Sequence, residues 1–203
     1  AVGSGAGEGN TTGDNLVAVG FNAAENNTTA DDNTAIGSQA LFTNTTGAKN
    51  VAIGTGAMYN NTTANDNVAV GVESMDANTT GAGNTAVGKG SMGANTTGQR
   101  SVAIGYNAML VSTTASDSVC VGYAAGDALT DAIENVFVGY FAGSGTTTGI
   151  NNTGVGASAL QANTTGIKNV AIGNRCLDAN TTANNNTGVG HEALTDNTTG
   201  ADN

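Results

Sequence analysis

The sequence predicts an all-β fold, a parallel β-solenoid (a β-roll or β-helix) of twelve turns, each turn one 17-residue repeat. Three observations carry this. A Val or Ile followed by Gly recurs at Gly3, Gly20, Gly37, Gly54, Gly71, Gly88, Gly105, Gly122, Gly139, Gly156, Gly173 and Gly190, and every step is 17. No insertion or deletion breaks the phase across these twelve units. Gly, Asn and Thr interrupt every segment, which no stable helix tolerates. A fixed period over many units marks a stacked array. Each turn lies on the last, each position becomes a column, and neighbouring strands sit ~4.8 Å apart. Twelve turns then predict a rod of roughly 55–60 Å, with residues 17 apart, such as Ile36 and Ile53, as in-register neighbours.

With the recurrent Gly counted as position 0, position −1 is Val or Ile in all twelve units and position −3 is Val or Thr wherever it is present. Residues two apart on a strand share a face, and position −2 points the other way. The β-branched face reads as the core, with the column Val19, Ile36, Ile53, Val70, Val87, Ile104, Val121, Val138, Val155, Ile172 and Val189 at its centre. The Gly then turns the corner, where a positive φ costs it little. Position +4 is usually Leu or Met, as at Leu41, Met58, Met75 and Leu177; it reads as a second short strand. Positions +8 and +9 are nearly always Thr-Thr, a third short strand or a ladder-bearing corner. Gly or Ala at +10 turns the chain again.

Two Asn columns run through the repeat. One is at +7, with Asn27, Asn44, Asn61 and Asn78; the other is at −4, with Asn33, Asn50, Asn67 and Asn84. Stacked amides can each donate to the next along the axis and satisfy backbone groups at corners. The columns read as structural ladders, which also explains the Asn-Thr-Thr triplets without glycosylation.

Composition narrows the function classes. Only 10% of the residues are charged, against about 25% in ordinary domains, and 38% are apolar, enough for a thin core. The net charge is −11 with five Lys and Arg. Nucleic acid needs a basic footprint, so no nucleic-acid partner is expected, and the lack of basic clusters argues against anionic membrane surfaces. No stretch approaches the ~20 apolar residues of a membrane helix, so no membrane insertion is expected in this segment. No basic n-region followed by an apolar run opens the chain.

The unit from Asn50 to Asp66 reads NVAIGTGAMYNNTTAND, and that from Asn169 to Asn185 reads NVAIGNRCLDANTTANN. These units resemble the head repeats of trimeric autotransporter adhesins. They also resemble the N-T-A-x-G…A-L…N-T-T-G repeats of bacterial and phage tail-fibre-like surface proteins. The resemblance covers the whole chain. It implies a parallel β-roll, a role in adhesion or as a fibre shaft, trimeric assembly, and an extracellular, cell-surface or virion-surface location. Each turn here is longer than the adhesin head repeat by an Asn-Thr-Thr-type segment.

Position −2 is Ala at Ala18, Ala35, Ala52, Ala69, Ala86, Ala103 and Ala171. If Val and Ile face the core, this small column faces outward and invites close approach of another chain, as in a trimer; a lone solenoid is the alternative. Residues 1–203 begin at position −2 and end at −4. They read as one repetitive solenoid, a segment of a longer chain or a unit of a head-to-tail filament.

Few residues stand out from the repeat. Tyr106, Tyr123 and Tyr140 share position +1 in consecutive units and should stack, with Phe137 and Phe141 close by. This group is a candidate patch for carbohydrate or a receptor, or else a stack that stabilises a variant turn in which the ring of Phe137 lies over Gly154. Cys120 and Cys176 are separated by 176 − 120 = 56 residues, a little over three turns or ~14 Å, too far for a disulfide. An ice-binding face needs outward Thr at i and i+2, whereas the Thr here are adjacent and point opposite ways. His191 is the only His, no ligand cluster repeats with metal spacing, and no nucleophile–base pair can be placed. The chain is therefore expected to be no enzyme and to use no cofactor. The expected function is a structural extracellular fibre or adhesin shaft, with a carbohydrate- or ice-binding surface as the alternative.

Overall fold

The computed structural model describes residues 1–203. It contains eleven three-residue strands, one per repeat, and no helix. They are β1 (Val17–Val19), β2 (Thr34–Ile36), β3 (Val51–Ile53), β4 (Val68–Val70), β5 (Thr85–Val87) and β6 (Val102–Ile104). The series continues with β7 (Val119–Val121), β8 (Val136–Val138), β9 (Thr153–Val155), β10 (Val170–Ile172) and β11 (Thr187–Val189). They form one parallel sheet in sequence order. The register is exactly one repeat per rung throughout, with Ile36 opposite Ile53 and Val138 opposite Val155. Val2 bridges Val19 and adds a twelfth rung. The fold is a parallel β-solenoid.

The core is inverted relative to the sequence expectation. Ala52, at −2, is 0% exposed, and so are Ala35, Ala69, Ala86, Ala103 and Ala171. Not one of the eleven β-branched residues from Val19 to Val189 at −1 is buried: Ile36 is 37% and Ile172 42% exposed, and Ile53, Val70 and Val155 are half-buried. Alternation shows which residues share a face but not which face is inside. A coil this short encloses too narrow a space for two β-branched columns. The interior holds Ala at −2, a small residue at +3, and Leu or Met at +4, as in Ala52, Ala57 and Met58. The Ala column is thus the chain's own core, and the case for a neighbouring chain against it falls away.

Positions +1 to +6 are a run of tight turns, so the expected second strand at +4 is absent. Residues +2 and +4 are left-handed in every full coil, for example Gln39 (φ 56) and Leu41 (φ 55), or Glu73 (φ 55) and Met75 (φ 51). This alternation turns successive peptide groups up and down the axis. Gly56 N–H donates back to Ser38 O at 3.0 Å, and Met58 N–H donates forward to Ser74 O at 2.9 Å. No Val, Ile or Thr occupies any positive-φ position, because a β-branched side chain there is strongly disfavoured. That is why the inward column at +4 uses Leu and Met although Val and Ile abound elsewhere. The recurrent Gly has the opposite need: Gly37 (φ +138) has no room for a Cβ, which would fall 2.5 Å from Gly54 O.

Three polar ladders run along the coil, two of them of buried residues and the third, at +8, of half-buried to exposed ones. At +7, Asn44 Nδ2 donates to Asn27 Oδ1 (2.8 Å), Asn61 to Asn44 (2.8 Å) and Asn78 to Asn61 (3.0 Å), and each amide also donates to the +10 carbonyl of its own coil. At −4 the ladder is of a different kind. The backbone N–H of Asn50 donates to Asn33 Oδ1 (2.9 Å), and that of Asn84 to Asn67 Oδ1 (2.9 Å), while each Nδ2 reaches the +10 carbonyl of the next coil. At +8, the hydroxyl of Thr11 donates to Thr28 O, and the pattern repeats without a gap to Thr181 and Thr198 O. The Asn-Thr-Thr run is therefore a corner and contains no strand. Buried amides with partners stabilise; an orphaned one would cost the desolvation of the group.

Candidate interaction surfaces

Because Ala faces inward, positions −3 and −1 form the outer face of the sheet. Val and Thr at −3 and Val and Ile at −1 make two parallel columns along the whole rod, with no charged residue in either. Val17, Val19, Ile104, Val136 and Ile172 are exposed, and most of the others are half-buried. Ten steps of ~4.8 Å and two columns ~7 Å apart give a strip of roughly 340 Å² in projection. The largest apolar patch on an ordinary monomer is about 300–600 Å². All eleven full coils contribute to this one.

The candidate patch lies at the border of this strip. Tyr106, Tyr123 and Tyr140 are two residues beyond Ile104, Val121 and Val138. Their rings stack with centroids 5.3 and 5.4 Å apart and are 44%, 45% and 56% exposed. Phe141 meets Tyr140 edge-on at 4.5 Å and Tyr123 at 5.4 Å. Phe137 is not part of this surface: it is fully buried on the inner face of β8. A Cβ built on Gly154 would lie 3.0 Å from its ring. Sugar recognition by aromatics uses a free ring face. Here the faces between the three tyrosines are occupied by one another.

An open notch of about 350 Å³ lies elsewhere on the coil surface, where Gly90 and Gly93 interrupt the side-chain columns. Glu73 and Asp76 stand on one side and Leu110 and Val111 on the other. Burial, then the charge of Glu73, raises the carboxyl of Asp76 above its ordinary value. No group of three or more His, Cys, Asp or Glu side chains is placed to hold a metal ion. Exposed charges pair along the axis, as in Arg100 with Asp117 at 2.7 Å. Cys120 and Cys176 are free and buried. Burial pushes the Cys120 thiol far up, which makes it a packing group and a poor nucleophile. The seven Asn from Asn27 to Asn180 at +7 that head Asn-Thr-Thr triplets are fully buried and hydrogen-bonded, so the folded coil withholds them from glycosylation.

The architecture defines the chain as a β-solenoid repeat protein with a continuous outward apolar face. Comparison with protein-family models, with curated proteins and with solved structures returns no match. Sequence reasoning misses part of this surface. It assigns the Val/Ile/Thr columns to the core, although their complete lack of charge marks them as a dry face whichever way they point.

Proposed function

We propose that this chain is a structural rod of an extracellular fibre or adhesin shaft, on a cell or virion surface, whose copies associate side by side through the Val/Ile/Thr strip. The carrying observation is the strip itself: uncharged and continuous over eleven strands in a chain of net charge −11. Burying apolar surface contributes about 25 cal/mol per Å². A second copy is the partner that matches the strip's ~4.8 Å period along its whole length. With the flanking +1 column, the area approaches the ~800 Å² per partner of a stable interface. Face-to-face pairing of two copies puts Val and Ile, in place of Ala, in the seam of the assembly.

Sedimentation equilibrium tests the seam. The chain should sediment at a multiple of 19.7 kDa, and the V68K/V70K variant, which charges one central rung, should sediment as the monomer with its β signal retained. A wild-type chain that stays at the monomer mass at micromolar concentration removes the proposal. Antibody labelling of intact source cells or virions tests the surface location.

One observation favours a second reading, an ice-binding face. The strip carries outward β-branched residues at i and i+2, with Thr at −3 in Thr34, Thr85, Thr153 and Thr187 and Val or Ile at −1 in every coil. A freezing-hysteresis measurement on the monomeric protein decides it: no hysteresis ends this reading.

A further inference from the structure

A periodic strip creates a register problem. Sliding one copy along another by a single coil again sets Val, Ile and Thr against Val, Ile and Thr, so many alignments have nearly equal energy. Register is poorly specified wherever successive rungs are alike. Something aperiodic has to break the degeneracy.

The strip has one such feature along its border. Position +1 holds Ser4, a lone Phe21, Ser38, Thr55, Val72 and Lys89 before the aromatic run, then Tyr106, Tyr123 and Tyr140, then Ala157, Asn174 and His191. Nowhere else do two consecutive coils carry an aromatic residue at this position. We infer that Tyr106, Tyr123 and Tyr140, buttressed by Phe141, form a register key that fixes the axial alignment of copies of this chain. The inference rests on the self-association reading above.

Three observations support it. First, the ridge is pre-organised: the stack holds each ring at its neighbour's face, so little side-chain freedom remains to be lost on docking. Second, Phe141 adopts φ 53 at a position filled elsewhere by Asn22, Gln39, Ser158 or Arg175. A bulky side chain in the left-handed region is disfavoured, and here its ring packs T-shaped against Tyr123 (5.4 Å) and Tyr140 (4.5 Å). Third, Phe137, three residues before Tyr140, wedges the core beneath the ridge. In a two-fold pair whose axis crosses the rods at the height of Tyr123, the strips face each other antiparallel and the same border meets itself, so ridge meets ridge. Each coil of slip removes one of the three ring–ring contacts and sets a ring against Lys89 or Ala157 instead. Aromatic residues are the groups that most often dominate such contacts.

The test uses a nitroxide on T46C, an exposed corner residue remote from the strip, in a C120A/C176A background. The protein with its ridge intact should give one narrow inter-copy distance by double electron–electron resonance. Y106S/Y123S/Y140S should keep the assembled mass but broaden the distribution, as slipped copies move the labels closer or further apart in steps of ~4.8 Å along the axis. Y106F/Y123F/Y140F retains the rings and should stay narrow, which separates register from misfolding. A serine variant that keeps the narrow distance overturns the key, and one that becomes monomeric also overturns it by showing that the ridge supplies adhesion. If the protein with its ridge intact is itself monomeric, the self-association reading fails, and the key fails with it.

Discussion

The ring of Phe137 lies where a side chain at residue 143 would begin: a Cβ built on Gly143 falls 2.5 Å from three of its atoms. Gly143 stands in the +4 column, which is Leu or Met in most coils, and Gly126 one coil earlier is Gly too. The bulk has moved across the core from +4 to −2, and the inward volume is roughly conserved. Phe137→Ala should therefore destabilise by about 3–5 kcal/mol. Gly143→Leu alone should destabilise by overpacking. The double variant should be more stable than the sum of the two, because the Leu fills the vacated space. Denaturant melts of the four proteins measure the coupling.

Met58 at φ 52 is fully buried. Met58→Ile changes volume little but adds a β-branch in the left-handed region. The expected cost is about 1–3 kcal/mol, whereas Met58→Leu should cost under about 1.5 kcal/mol. Thermal melts of the two variants distinguish backbone strain from loss of packing, since packing alone predicts similar values.

Asn61 sits in mid-ladder. It donates to Asn44 Oδ1 (2.8 Å) and Ala64 O (3.2 Å) and accepts from Asn78 Nδ2 (3.0 Å). Asn61→Ala leaves buried groups on both neighbours unpaired and should cost about 2–4 kcal/mol. The native ladder already ends where Ser112 replaces Asn, and there Asn95 Oδ1 and Ser112 Oγ lack protein partners. Ser112→Asn should extend the ladder and raise the melting temperature.

Inside and outside are set by Ala52 and Ile53. Ala52→Glu should prevent folding, because the charge would enter a closed core with no partner. Ile53→Glu should leave the coil intact by circular dichroism and act on association only. Equal damage from both would contradict the inverted core.

Asp76 gives a pH dependence of known sign. Burial and Glu73 raise its pKa above 3.8 in the folded chain. The folded state then binds more protons than the unfolded state between the two values, so stability falls as pH rises through that window. Asp76→Asn should be slightly more stable than wild type at pH 7, by at most about 0.5 kcal/mol after solvent screening. The gap should close below the carboxylate's unfolded pKa. Melts from pH 3 to 7 check it.

Much of the fold was legible in the sequence, for identifiable reasons. The Tyr106–Tyr123–Tyr140 stack follows from equal position in successive coils, and the Phe137–Gly154 contact from the pairing of each strand with the next. The +4 turn was not legible, because Leu and Met signal burial without revealing a left-handed backbone. Nor was the amide pattern at −4, where backbone N–H groups take the role expected of the side chains.

By itself the sequence determined the period, the parallel in-register stacking and the columns, since a 17-residue step without insertions admits no other neighbour for each residue. Only the tertiary structure decided which face of Val51–Ala52–Ile53 is inside. Alternation is symmetric between faces, and the choice is made by the narrow interior of a 17-residue coil, in which Ala52 opposite Met58 fits and a pair of β-branched columns does not.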